Sequence, residues 1–254
     1  REILEIDDES FSIGGFPLRR IQPEISGLLK TILIYGTLPE VFLEPNKTRK
    51  KEYLKFYVNS LLFKDIFEIE GIRYPALFKQ LLQILAFQLG QEINPNEISK
   101  KLQIHRKTIV DYIDLFEKFQ IIKILWCFSN NPRKEITKGF KVFFTDVGVR
   151  NALINNFAPL SQRADAGPLF ENNVMNIFYS NINYFDKNYK MYFWRNRKQA
   201  EVDLVLEHTE TGHLTPIEIK WNKQKMPSRA FRNYYGDVIY KEFCVNKDNL
   251  WQFI

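Results

Sequence analysis

The chain has 254 residues, 45% hydrophobic and 26% charged, with 15% aromatics and a formal net charge of +6. These values are ordinary for a folded protein with room for more than one domain, and no internal repeat or low-complexity tract interrupts them. The positive balance permits a nucleic-acid partner and is equally met by a solvated surface. Only two cysteines are present, Cys127 and Cys244, each inside an apolar run. That argues against a disulfide framework or a zinc site and fits free thiols in a reducing compartment. No apolar run is long enough to cross a bilayer and no signal peptide is visible, so a cytoplasmic protein without a membrane partner is expected. The chain starts with Arg1 rather than Met, as a piece of a longer protein would.

Residues 1–45 are weakly patterned, with loop punctuation in SIGGFP and YGTLPEV around an apolar helix-like piece, EISGLLKTILIYG. From Lys47 one long helix is predicted. Asn46 is placed to cap it and Gly71 to end it, and Leu54, Tyr57, Val58, Leu61, Leu62 and Ile66 fall on one face. A strongly apolar helix follows, with Pro75 in its first turn. NPNEISKKLQ then reads as a short helix and RKTIVDYIDLFEKFQ as a second. Two strand-like runs, IIKILWCFS and FKVFFTD, come after them, joined by NNPRKEITKG. Helix, turn, helix and a two-stranded wing make the layout of a winged helix, with Ile98, Leu102, Ile109, Ile113 and Phe116 as its core.

In a DNA-reading helix-turn-helix the start of the second helix enters the major groove. Here that start carries Arg106 and Lys107 after His105, and the wing carries Arg133, Lys134 and Lys138. These cations suit phosphate contacts. Asp111, Asp114 and Glu117 dilute the positive face, so a winged helix that only packs against its neighbours is the competing expectation.

Residues 146–168 look like a connector with one short helix. From Leu169 the pattern becomes a helix (LFENNVMNIFYSNI), three strands (KMYFWRN, AEVDLVLE, LTPIEIKW), a helix (SRAFRNYYGD) and a last strand (KEFCVN). The expected organisation is α+β. A helical region spans 1–72, a winged helix 73–150, a connector 151–168 and a small α/β domain 169–254.

The last domain carries acids inside its strands. Period-two alternation puts Glu201, Asp203 and Val205 on one face and Val202, Leu204 and Leu206 on the other. In the next strand Glu218 and Lys220 share a face opposite Ile217, Ile219 and Trp221. A symmetric hairpin sets Asp203 opposite Glu218 and Glu201 opposite Lys220. Like charges with Cβ atoms about 5 Å apart are destabilising. A hard divalent cation, protonation of one acid or a nearby Arg would offset the repulsion.

An Asp at a strand start followed by Glu-x-Lys on the next strand, here Asp203 and Glu218-Ile219-Lys220, resembles the PD-(D/E)xK nuclease fold. Glu171, in LFENNV, stands where that fold usually has a further acid on the preceding helix. The resemblance implies Asp203, Glu218 and Glu171 as ligands of Mg²⁺ or Mn²⁺, with the Ile219 carbonyl as a further ligand. It implies Lys220 as the electrostatic helper in a catalytic set with Asp203 and Glu218. Just upstream, WRNRK offers Arg195 and Arg197 to a nucleic-acid backbone, or forms a solvated hairpin tip. Structural ion pairing in a domain that kept the fold without the activity is the alternative.

Taken in order, YGTLPEVFLE, YLKFYVNSLLFKDIFEIEGIR, SNNPRKEITKGFKVFFTDVGVRNAL, LFENNV, YFWRNRKQAEVDLVL and PIEIKW resemble the C-terminal portion of a large family of bacterial and archaeal predicted ATPases. In that family an AAA+-type core precedes a winged helix and a restriction-endonuclease-like domain catalogued as of unknown function. The resemblance covers roughly residues 30–246. It implies that 1–72 is the remnant of an ATPase lid, that an ATPase core lies upstream, and that DNA is the partner. No Gly-x-x-x-x-Gly-Lys-[Ser/Thr] run occurs, so this chain is not expected to bind or hydrolyse ATP. The resulting expectation is a DNA-associated module that cleaves phosphodiester bonds with a divalent metal. The alternative is a non-catalytic interaction or regulatory module.

Overall fold

The computed structural model describes residues 22–61, 64, 67, 72, 74–129, 139–185, 188–222 and 224–253. Leu62, Ile66 and Gly71 of the expected long helix lie outside the described residues, as do Arg133, Lys134 and Lys138 of the wing loop. The protein is a mixed α/β structure, with helices packed around one seven-stranded mixed sheet.

The first part is helical. α1 (Gln22–Tyr35), α2 (Pro39–Leu43) and α3 (Lys47–Phe56) come first, with α3 continuing as a π-helical turn over Tyr57–Leu61. Asn46 caps α3 through its side-chain oxygen, which accepts from the backbone amides of Thr48 and Arg49. α4 (Pro75–Phe87) starts on its proline and buries Phe78, Leu81, Leu82 and Leu85. After the two-residue strand β1 (Glu92–Ile93), α5 (Pro95–Leu102) is capped by Asn94. α6 (Arg106–Lys118) buries Ile109, Tyr112, Ile113 and Phe116 at helical spacing, and its N-cap His105 makes no side-chain capping bond. Phe78 and Phe116 meet with ring centroids 4.4 Å apart. Fully burying one such side chain contributes about 1.5–3 kcal/mol.

The strands β2 (Ile122–Cys127), β3 (Phe140–Phe144), β4 (Tyr189–Arg195), β5 (Glu201–His208), β6 (Leu214–Ile219) and β7 (Phe243–Val245) then form the sheet in the order β1-β3-β2-β4-β5-β6-β7. β2 and β3 pair antiparallel, and β2 pairs parallel with β4 through Trp126 opposite Tyr192. The wing-like strand pair and the later strands therefore belong to one continuous sheet. The alternation patterns of the separate strands carry no sign of this junction.

Between β3 and β4 lie α7 (Val147–Leu153) and the 19-residue α8 (Ala166–Tyr184). Phe170, Val174, Phe178 and Ile182 recur every four residues and form the buried stripe of α8. Asn172 stitches α8 to the end of β3: its Oδ1 accepts from the Phe144 amide at 2.7 Å and its Nδ2 donates to the Phe144 carbonyl at 2.7 Å. A short helix α9 (Arg229–Tyr235) packs Phe231 against Trp194, Val202 and Val205 of the sheet. One large core unites Phe78, Phe116, Phe144, Phe170, Leu204 and Ile217, and a smaller one gathers Trp194, Val202, Val205 and Phe231.

A closed polar network ties α7 and α8 together. Arg163 donates to both Asp165 oxygens, each at 2.8 Å, while buried Arg150 also bonds Asp165 and donates to the Ala86 carbonyl at 2.8 Å. Asn151 donates to the carbonyls of Leu33 and Ile34 at the end of α1 and accepts from Arg163. Burial alone would raise the Asp165 pKa, but the bonds from Arg163 and Arg150 outweigh it and hold it down to about 2. The α1–α7 junction is equally tight. A Cβ on Gly148 would stand 2.0 Å from the Tyr35 carbonyl oxygen, so only glycine fits there.

Candidate functional site

The site is set by the β5–β6 hairpin. Leu204 pairs with Ile217 and Val205 with Pro216, so the next step along the ladder puts Asp203 beside Glu218, as a symmetric hairpin requires. The alternation along β5 is broken, however. Tyr192 of β4 faces Val205 while Trp194 faces Val202, so β5 carries one extra residue between them. This bulge falls at Asp203 and Leu204. It moves Val202 away from Leu204 and Leu206 and into the smaller core with Val205, which corrects the strict period-two assignment. A bulge re-aims side chains locally, and here it separates the environment of Glu201 from that of Asp203.

Asp203 and Glu218 are both buried, and the cation between them is Lys220. Lys220 Nζ lies 2.7 Å from Asp203 Oδ2 and 2.9 Å from Glu218 Oε1. Asp203 Oδ2 also accepts from the Ile219 amide at 2.8 Å, and Lys225 Nζ reaches Glu218 Oε1 at 3.0 Å. Burial alone would lower the Lys220 pKa, but the charges and hydrogen bonds of Asp203 and Glu218 more than reverse this and keep it a firm ammonium. The like-charge repulsion is thus offset from within the Glu-x-Lys stretch itself. The other oxygen of Glu218, Oε2, is buried without a hydrogen-bond partner.

A second chain of alternating charge runs beside the first. Glu92 Oε2 lies 3.3 Å from Arg195 Nη1, and Arg195 Nε lies 3.2 Å from Glu201 Oε2. Glu201 Oε1 lies 2.5 Å from Lys141 Nζ, which stands 3.3 Å from Glu171 Oε1. Glu201 therefore pairs with Lys141 and Arg195 rather than with Lys220, a correction that follows from the bulge. Lys141 is only 4% exposed, and its ammonium also lies 5.4 Å from the centre of the Phe193 ring. Burial would lower its pKa, but Glu171, Glu201 and Asp203 raise it. Burial pushes the Glu171 carboxyl up to about 7. Asp203 adds to the rise, while Lys141 and Lys220 oppose it.

The first cluster and Glu201 border an open cleft of about 820 Å³, whereas Lys141 and Glu171 line a separate small pocket. Glu201, Asp203, Glu218 and Lys220 form its floor, and Lys225 and Arg229 are among the residues lining the rest. Asp203, Glu218, Lys220 and Glu171 are thus brought within electrostatic reach of one another, with Glu171 tied to Lys141. Arg195 joins the second charge chain, and Arg197 is exposed in the β4–β5 turn. Arg106 and Lys107 are exposed at the start of α6, where Arg106 lines a separate cleft with Glu92, Trp126 and Phe140. Nothing in the sequence pattern singles out Lys225 or Arg229. Lys141 does carry a signal: a lone Lys inside the aromatic strand GFKVFF needs an acid partner if it is buried.

Among the described residues, no three His, Cys, Asp or Glu side chains stand together as a ready metal-binding group. Mg²⁺ is usually held by one or two carboxylates, with water and substrate phosphates completing its shell. Two adjacent carboxylates, one with an unpartnered buried oxygen, fit such an ion.

A family model described as a domain of unknown function (DUF8612) matches residues 26–160, more than half of the chain. The chain belongs to the DUF8612 family. A second model, a domain of unknown function (DUF4143), matches residues 166–248, which hold α8, β4–β7 and the cleft acids. The uncharacterized protein Rv2008c of Mycobacterium tuberculosis is 23% identical over 233 residues, covering 91% of this chain and 51% of its own length. The uncharacterized protein MJ1544 of Methanocaldococcus jannaschii is 30% identical over 111 residues, covering 42% of this chain and 25% of its own. The DUF8612 chain thus spans about half the length of the mycobacterial relatives it matches. No solved structure matches it significantly. No described helix is long and apolar enough to cross a membrane.

Proposed function

We propose that the chain is the C-terminal module of a larger predicted ATPase, with a winged helix in its DUF8612 part and a PD-(D/E)xK-type site in its DUF4143 part. In this reading the site cleaves phosphodiester bonds in DNA. The observation that carries the reading is the Asp203–Lys220–Glu218 cluster at the floor of an open cleft, with Glu218 Oε2 unpartnered. Its α+β arrangement supports it: an acid-bearing helix, a three-strand meander, a helix and a parallel last strand.

Asp203 and Glu218 would hold Mg²⁺ or Mn²⁺, which when bound supplies Lewis-acid polarisation of a phosphoryl oxygen and a more acidic water. In hydrolysis the water oxygen forms a bond to phosphorus as the ester P–O bond breaks. A proton leaves the water and one reaches the departing oxygen. Lys220, held as an ammonium by its two acids, suits stabilisation of the developing phosphate charge and not proton removal. Glu171, raised to about 7 by burial, is a neighbouring carboxylate able to accept a proton. Lys141 holds it and Glu201 in place from β3.

One observation favours the non-catalytic alternative: each acid of the cleft floor already has an ammonium partner. Incubation of the chain with labelled DNA and Mg²⁺ or Mn²⁺ separates the two. The nuclease reading expects cleavage that EDTA abolishes and that falls about 100-fold or more in Lys220→Ala, the scale of losing one charge-stabilising donor. Absence of cleavage by the wild type, or equal cleavage by Lys220→Ala, would leave the interaction module.

A further inference from the structure

A second groove, of about 850 Å³, opens beside the cleft. It runs between the β4–β5 turn, which supplies Arg197 and Lys198, and α9, which supplies Asn233, Tyr234 and Tyr235. The cleft borrows Gln199 and Ala200 from that same turn and Arg229 and Arg232 from that same helix. The two concavities therefore share both walls. They differ in charge, because the groove is lined by Arg195, Arg197 and Lys198 with no acid, whereas Glu201, Asp203 and Glu218 line the cleft.

We propose that this groove binds single-stranded nucleic acid, with phosphates on Arg197 and Lys198 and a base stacked on Tyr234, and leads the strand to the cleft. Arg197 and Lys198 are exposed and make no ion pair among the described residues, so their charge is available to a phosphate. Arg195 is held by Glu92 and Glu201 and serves as the anchor of the turn. Tyr234 is 67% exposed, and its ring is backed by Trp194 at 6.0 Å and Tyr235 at 6.2 Å between centroids. A supported, exposed ring beside unpaired cations is the pairing that binds unstacked bases and their backbone together. In a duplex the base faces are already stacked, so the ring has nothing to cover. An acidic peptide would use the cations and leave Tyr234 idle. Delivery to the cleft rests on the phosphodiester reading of that site; binding in the groove does not.

Fluorescence anisotropy on the full chain tests this in EDTA, where no metal-dependent cleavage occurs. The probe is a fluorescein-labelled oligo-dT of about 15 nucleotides, the scale of one such binding surface. It should bind more tightly than a duplex of equal length. Tyr234→Ala should weaken single-strand binding about tenfold, and Tyr234→Phe should preserve it. Replacing Arg197 and Lys198 with Ala should reduce the slope of log affinity against log salt by about 1.4. All three positions are exposed, and unchanged thermal melting would confirm intact folding. Equal affinity for duplex and single strand, no effect of Tyr234→Ala, or equal competition by polyglutamate would overturn the proposal. Strand binding without metal-dependent cleavage would keep the groove and remove the nuclease; cleavage without strand preference would do the reverse.

Discussion

Two buried ionic clusters in this molecule are built on opposite plans. In the Arg150–Arg163–Asp165 network both Asp165 oxygens accept from arginine, and Asn151 carries the bonding on to the backbone of α1. In the Asp203–Lys220–Glu218 cluster two acids face each other across one lysine at the floor of a cleft, and one Glu218 oxygen lacks a partner. The first arrangement satisfies every carboxylate oxygen and locks α7 to α8 and α1. The second leaves one buried carboxylate oxygen without a hydrogen-bond donor at the floor of an open cleft. Buried charge that is fully bonded serves the fold, whereas buried charge left incomplete at an opening is a property of sites.

Neutralising one acid in each cluster separates the two plans most sharply. Asp165→Asn leaves two buried arginines without their counter-charge and should lower unfolding stability by about 3–5 kcal/mol in urea denaturation. Glu218→Gln removes a like-charge contact with Asp203 together with two ammonium contacts, and leaves Lys220 paired to Asp203, so it should change stability by no more than about 1 kcal/mol while removing metal-dependent activity. Comparable losses in both variants would make the cleft cluster structural as well.

Acid titration gives a smaller effect. Asp165 has a depressed pKa in the folded state, about 2, so its contribution is present above its unfolded value near 4 and is lost as pH falls through about 2. With partial solvent screening this is on the order of 1–2 kcal/mol. Stability measured from pH 5 down to pH 2 should fall more steeply in the wild type than in Asp165→Asn. Parallel curves would mean that the network does not hold the Asp165 charge.

Much of this architecture is legible in the sequence. Period 3.6 and the punctuating Asn46 and Pro75 place α3, α4, α5 and α6, and alternation places β4, β5 and β6. Over Leu204–Glu207 the β5–β6 pairing is the symmetric one expected, whereas Glu201 pairs with Lys141 and Arg195 and not with Lys220. What escapes is non-local. The parallel pairing of β2 with β4 joins strands 66 residues apart at Trp126 and Tyr192, and alternation carries no record of it. The bulge at Asp203 adds one residue that only the neighbouring strand reveals. For the same reason the partners of Lys141 escape: GFKVFF marks it as a lysine that needs an acid, but Glu201 lies 60 residues downstream. Arg106 and Lys107 are legible as exposed cations, but Arg106 lines a different cleft from Asp203 and Glu218.

The proposed divalent-metal site at Asp203 and Glu218 can be probed by calorimetric titration of the full chain with Mn²⁺. One saturable binding event is expected in the wild type, lost in both Asp203→Asn and Glu218→Gln. No saturable heat in the wild type, or the same binding in either variant, would contradict it.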